Sequence, residues 1–236
     1  MKAMILNSGV GKRMGPLTQH KPKCLLKVRG DETILSRQVK SLLDNEIHDI
    51  IITTGPFAGE LQRYLDITFK GVSFNFVPNP LYDSTNYIYS MLLAKNLIDE
   101  DIILMHGDLV FDNILLKRTV LSDHENTVLV NPYSNIPNKD FKARVENGRV
   151  LEISVNIFDS DCFFLIPLYK LSLGLCQNWF SEIDKFKKEG KLQAYAEDAL
   201  NNILFDNPLY PLYFSQELCS EVDNLEDLER VQGYFS

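Results

Sequence analysis

The chain has 236 residues, 45% of them hydrophobic and 24% charged, and a formal net charge of −8. That length is ample for a packed core, and the composition excludes a disordered polymer. The acidic balance excludes partners recruited by bulk positive charge, so neither nucleic acid nor an anionic membrane surface is expected.

The first apolar run, Ala3 to Leu6, reads as a strand and is too short for a signal h-region. A helix with Leu35, Val39, Leu42 and Leu43 on one face follows, then strands at Ile50 to Thr53 and Val72 to Val77. Ile88, Met91 and Leu92 mark another helix, and Ile102 to Met105 and Val128 to Val130 two further strands. Such alternation implies an α/β, Rossmann-like, mostly parallel sheet with helices on both faces. Sheets of this kind meet their ligands at the carboxyl ends of the strands.

From about residue 140 the pattern changes. Phe141 to Val145 and Val150 to Ile157 alternate as strands around Asn147-Gly148, a hairpin signature. Two helices follow, one with Leu175, Trp179, Ile183 and Phe186, the other with Ala196, Ala199, Leu200, Ile203 and Leu204. A final strand and a helix after Asp223-Asn224 end the chain. With no linker or repeat, residues 1–236 are expected to form one domain, with a nucleotide-binding part (1–135) and a hairpin/helix acceptor-binding part (136–236). The four cysteines, Cys24, Cys162, Cys176 and Cys219, lack metal spacing and read as reduced thiols. No apolar stretch approaches the roughly 20 residues of a membrane span, so a cytoplasmic location is expected.

The segment behind the first strand carries the chemistry. Gly9 and Gly11 let the backbone turn tightly and present N–H groups to phosphate oxygens, although a lone GxG can be a plain turn. Residues 1–30 hold seven Lys/Arg and no acid, inside an acidic protein. A triphosphate site explains that block. It is not a Walker A loop, because Gly11-Lys12 is followed by Arg13, nor a dinucleotide fingerprint, because Met14 stands where glycine is needed.

Leu6-x-x-Gly9-x-Gly11-x-Arg13-x-x-Pro16-Leu17-Thr18, followed by Pro22-Lys23-x-Leu25, resembles the opening motif of the sugar-phosphate nucleotidyltransferases, the nucleotidyl transferase family. The resemblance implies a GT-A-like fold in which Leu6, Asn7, Ser8, Gly9, Gly11 and Lys12 surround the nucleotide. It assigns Arg13 and Lys23 the catalytic task of neutralising pyrophosphate and the incoming phosphate, by bidentate contact and point charge respectively. Asn7-Ser8 replace the family's usual Ala-Gly. Without a hexapeptide-repeat tail, no acyltransferase activity is expected.

Such a transfer needs a metal, and Mg²⁺ prefers carboxylate and phosphate oxygens. Asp108 follows the strand Ile102 to Met105, where an acid can also cap a helix. The resemblance makes Asp108 a metal and nucleotide contact and Asp223 the second ligand, with Asn224 as a helix cap and Glu221 as a weaker substitute for Asp223. The attacking phosphate, with a second pKa of about 6, needs no protein base. That suits His20, His48 and His124 as surface residues, with His106 alone near the site.

The stretch Asp83 to Met91 resembles the Asn-x-x-Tyr-Ser segment of phosphocholine cytidylyltransferases, which implies CTP and places Asn86 at the nucleotide. Helix capping by Ser84 or Thr85, with Asn86 merely exposed, is the alternative. An aromatic cage for choline is not evident, since Trp179 faces the core. Lys142 and Arg144 alternate on one strand face, with Asn156 expected on the partner strand; they are either a solvated face or contacts for an acceptor carboxylate. Asp140 to Arg144 and Val155 to Phe158 also resemble the phosphoglutamine cytidylyltransferases, in which case Glu197 or Asp198 would receive an acceptor ammonium.

The expectation is a Mg²⁺-dependent cytidylyltransferase acting on CTP and a small phosphorylated acceptor in cell-surface polysaccharide synthesis; a homodimer is admitted but not required. The alternatives are a sugar-1-phosphate nucleotidyltransferase using UTP, dTTP or GTP, and a non-catalytic regulatory subunit.

Overall fold

The computed structural model describes residues 1–134, 136 and 138–235. Strand β1 (Lys2–Asn7) opens the chain, and a short antiparallel pair, β2 (Lys27–Arg29) and β3 (Glu32–Thr33), leads into α1 (Ile34–Asp44). Thr33 Oγ1 accepts from the Ser36 N–H at 3.1 Å and Ser36 Oγ from the Thr33 N–H at 2.9 Å, a reciprocal cap that fixes where α1 begins. Then come β4 (Ile50–Thr54), α2 (Ala58–Thr68), β5 (Phe74–Pro78), α3 (Tyr87–Ala94) and β6 (Ile102–His106). β1 pairs in parallel with β4 and β6, and β4 with β5, so their carboxyl ends open along one edge.

β7 (Leu109–Phe111), α4 (Asn113–Val120) and β8 (Thr127–Asn131) complete the first half. The hairpin β9 (Lys142–Glu146) and β10 (Arg149–Ser154) turns on Asn147 (φ 51°) and Gly148 (φ 74°), two left-handed residues as its tight turn requires. β11 (Cys162–Leu171), α5 (Leu173–Lys188), α6 (Ala196–Asn201), β12 (Tyr210–Tyr213), β13 (Cys219–Glu221) and α7 (Leu225–Tyr234) follow. Among the described residues nine strands form one sheet, in the order β10-β9-β11-β6-β1-β4-β5, with β8 beside β11 and β12 beside β8. The expected boundary at 135/136 touches Asn135, which lies outside the described residues. The sheet itself is continuous across the two halves, because β11 pairs with β6, β8 and β9.

Alternation along β1 sorts the two cores. Met4 and Leu6 join residues of α3, α5 and α6, including Trp179 and Leu200, whereas Ala3 and Ile5 join residues of α1, α2 and α4. A third cluster joins Met14 to Val222, Leu228 and Val231, tying the loop after β1 to β13 and α7.

β11 is the long strand that the sequence disguises. Pro167 offers no N–H and argues against an interior strand. The ladder with β8 accommodates it by shifting register between Ile166 and Tyr169. Several boundaries also differ from expectation: β5 begins at Phe74 rather than Val72, β10 stops at Ser154 rather than Ile157, and α6 stops at Asn201, with Leu204 packing from the turns beyond.

Candidate active site

Two connected recesses lie at the carboxyl ends of β1 and β6. The one that extends toward β13 has a volume of about 280 Å³, and the one over the Gly-rich loop about 250 Å³. Gly11 sits at φ 68°, and a Cβ there would come 3.2 Å from Lys23 Cβ, so the turn brings Lys23 beneath the loop. A Cβ on Gly107 would stand 1.8 Å from Asn7 Oδ1, so a side chain there would displace the Asn7 amide. Leu6, Asn7, Gly9, Gly11, Lys12 and Arg13 line the loop recess, and Lys23, Asp108 and Asp223 face them.

The ion pairs explain how these charges coexist. Lys23 Nζ donates to Asp108 Oδ2 at 2.5 Å and to Asp223 Oδ1 at 3.0 Å, and Arg13 Nη1 lies 2.9 Å from Asp223 Oδ2. Arg13 is placed there by its neighbour Met14, 1% exposed, which is buried against α7. Burial works against both charges of the Lys23–Asp108 pair, but the pairing outweighs it. The Asp108 carboxyl is held below its ordinary range, and the Lys23 ammonium is held above its own. Asp108 leads into β7 and does not cap a helix, while Asn224 caps α7 by accepting from the Asp227 N–H at 3.0 Å.

Asp108 Oδ1 is buried with no hydrogen-bond partner. A buried carboxylate oxygen without a donor calls for one, or for a cation. Asp108 and Asp223 converge on Lys23 Nζ, and Asp108 also groups with His106 and Glu221, with donor atoms within 4.8 Å of one another. An all-carboxylate donor pair beside a phosphate recess fits a hard divalent ion such as Mg²⁺.

Toward β13 the character of the cleft changes. Tyr82, Tyr87, Phe141 and Tyr195 line it together with Asp140 and Glu221. Phe141 and Tyr195 meet edge to face at 5.0 Å, and Tyr87 and Tyr195 are 6.2 Å apart between ring centroids. His106 Nδ1 lies 3.1 Å from Glu221 Oε1. Burial pulls the imidazole pKa down, but Glu221 more than restores it, so the pKa is raised. Burial also raises the carboxyls of Glu221 and Asp140. On the opposite wall Ser8 Oγ pairs with Ser90 Oγ at 2.6 Å, and Asn79 Nδ2 donates to Ser90 Oγ at 3.0 Å. This polar knot joins the Gly-rich loop to α3 and to Asn79 in the segment before it.

The other residues expected at the site are placed differently. Asn86 lines the cleft, but its Oδ1 accepts from the Tyr87 N–H at 2.8 Å and its Nδ2 donates to Gln193 O, so it caps α3 itself. Lys142 is fully buried; its Nζ donates to Val155 O at 2.5 Å and lies 4.1 Å from the Phe158 ring centroid. Arg144 pairs with Asp159 at 2.6 Å. Both cations thus fasten the loop between β10 and β11, and neither lines the cleft. Asn156 is exposed beyond the end of β10. Asp198 is exposed and accepts from the Tyr195 N–H at 3.0 Å, a helix-capping contact. Glu197 is 1% exposed and faces Tyr87 and Tyr169 rather than the cleft.

Sequence reasoning missed the aromatic walls. Tyr87 sits in the segment read for its base contacts and Tyr82 just before it, and Phe141 and Tyr195 belong to separate elements. The one available signal was aromatic residues at the edges of segments already under scrutiny.

A nucleotidyl transferase family model matches residues 2–143. The chain belongs to this family. It is 30% identical to the choline-phosphate cytidylyltransferase of Streptococcus pneumoniae over 98% of this chain and 97% of that protein. It is 24% identical to the CTP:phosphoglutamine cytidylyltransferase of Campylobacter jejuni, covering 97% of this chain and 92% of that one. It is also 29% identical to the bifunctional IPC transferase and DIPP synthase of Archaeoglobus fulgidus over 98% of this chain, but spans only 43% of that protein's length. The solved structure of the CTP:phosphocholine cytidylyltransferase from Streptococcus pneumoniae superposes with a TM-score of 0.81 at 22% identity, covering 100% of this chain and 99% of that one. The family's fold is therefore this chain's fold, and its chemistry is nucleotidyl transfer. No described helix is long and apolar enough to cross a membrane.

Proposed function

We propose that the chain transfers CMP from CTP to the phosphate of a small acceptor whose far end is an ammonium group, with Mg²⁺ held by Asp108 and Asp223. The observation that carries the acceptor class is the cleft beside β13, where Tyr87, Phe141 and Tyr195 stand with Asp140 and Glu221. Aromatic faces and carboxylates together favour an organic cation. Lys142 and Arg144, the cations expected for an acceptor carboxylate, hold the β10–β11 loop instead, and the head-group wall sets Asp140 and Glu221 against the single lysine Lys139. The cytidylyl relatives named above support CTP as the donor.

Arg13 and Lys23 exchange their carboxylate partners for phosphate oxygens when the triphosphate enters. When bound at Asp108 and Asp223, Mg²⁺ supplies Lewis-acid charge against the triphosphate. The acceptor phosphate, dianionic at neutral pH because its second pKa is about 6, needs no residue to deprotonate it. One of its oxygens bonds to the α-phosphorus as the bond to the β-phosphate oxygen breaks, and pyrophosphate departs with the electron pair. Arg13 and Lys23 receive that developing charge, so the protein's contribution is alignment and electrostatics.

Pyrophosphate release with CTP, UTP or dTTP against phosphorylated amines, amino acids and sugars tests this reading. Turnover is expected with CTP and an ammonium-bearing phosphate monoester. Turnover confined to UTP or dTTP with a sugar phosphate would overturn it.

A further inference from the structure

Glu197 opens α6, and its carboxylate is sealed from the cleft. Its Oε2 accepts from the Tyr87 hydroxyl and its Oε1 from the Tyr169 hydroxyl at 3.0 Å. Among the described residues no ion pair involves it. Capping of α6 falls to Asp198, whose side chain accepts from the Tyr195 N–H. A buried carboxylate without a cation is costly, and two phenol donors offset only part of that. An anion kept in such a place calls for a further reason.

Tyr87 supplies one. Its hydroxyl points back to Glu197 while its ring lines the cleft, 4.8 Å from the His106 ring and 6.2 Å from the Tyr195 ring. The backbone that carries the ring is fastened as well: the Asn86 side chain accepts from the Tyr87 N–H, and the Asn86 N–H donates to Leu192 O at 2.8 Å. A phenol that donates to a carboxylate becomes richer in electron density, which deepens the negative potential on its ring face. The anion behind the ring adds its own field in a poorly screened interior.

We infer that Glu197 is a positioning residue for the acceptor: acting through Tyr87, it orients and polarises the ring so that the cleft selects a cationic head group over a neutral one of the same shape. This inference rests on the ammonium reading of the acceptor. Glu197 does not touch the acceptor; Tyr87 does. Tyr169 holds the other oxygen from the core side, where it packs on Trp179 at 6.3 Å, and keeps the carboxylate from turning away.

The test compares kcat/KM for phosphocholine with that for 3,3-dimethylbutyl phosphate, its uncharged isostere, using CTP and Mg²⁺. The wild type is expected to favour the cation at least tenfold, on the order of the desolvated cation–π range. Glu197→Gln, which keeps the shape and loses the charge, is expected to cut that ratio about five- to tenfold through KM for phosphocholine, with KM for CTP within about twofold. Tyr87→Phe is expected to do the same, and the double variant to go no further, because both changes break one path. A wild-type ratio near one would overturn the ammonium reading itself. A selective wild type with an unchanged ratio in Glu197→Gln, or with both esters weakened equally, would leave that reading standing and overturn the role of Glu197. If Glu197→Gln does not fold by thermal melt, Tyr87→Phe decides the question alone, since it keeps the ring and deletes only the hydroxyl.

Discussion

At the phosphate end of the cleft, the cations come from one short stretch, Arg13 to Lys23, and are answered by two acids at the ends of β6 and β13. At the head-group end, the walls come from four separate places: the segment before α3, the start of β9, the start of α6 and β13. The first is an electrostatic device whose parts neutralise one another through Lys23. The second is a surface shaped by rings, with acids set behind or between them. On the proposed reading, the first end carries out the transfer and the second decides what is joined to the nucleotide.

Substitutions at each end should therefore fail in different ways. Asp108→Ala is expected to be the most damaging, lowering turnover about 10²–10³-fold with the thermal transition kept, as loss of a charge-stabilising group does. Near-normal turnover would remove Asp108 from the metal site. Tyr195→Ala should act on one substrate only, raising KM for an ammonium-bearing acceptor about five- to thirtyfold and leaving KM for CTP alone. A parallel rise in both constants would mean that the two ends are not separable. The smallest effect belongs to the seam between them. The folded pKa of His106 is raised above the ordinary 6.5, so its pairing with Glu221 stabilises the fold fully below that value and is lost as pH rises through the folded pKa. Thermal melts of the wild type should accordingly decline more than those of His106→Asn across that interval, by about one to three degrees. Identical pH profiles would show that the pairing has no energetic consequence.

The same division governs what could be read in advance. Gly9, Gly11, Arg13 and Lys23 lie within a few turns of one another along the chain, and their residue types state their chemistry. Asp108 and Asp223 were singled out through the family resemblance, and the fold brings both carboxylates to Lys23. Strand–helix alternation likewise yielded the sheet, except for β11, where Pro167 mimics a strand breaker. The head-group end resisted for a physical reason. Periodicity correctly put Lys142 and Arg144 on one face of β9, yet it cannot reveal that Val155, Phe158 and Asp159 cross that face and engage both cations. At Glu197 and Asp198, adjacent acids point to opposite duties, and only the packing of α6 separates them.

β11 has a consequence for how new specificities can arise. Its first residues pair with β9 beside the aromatic cleft, and its last residues pair with β6, the strand that runs toward Asp108. The half proposed to choose the acceptor therefore cannot be exchanged as a cassette without tearing the shared sheet. Diversification along such a lineage has to proceed by replacing single wall residues, such as Phe141 and Tyr195, while the frame beneath them is inherited whole.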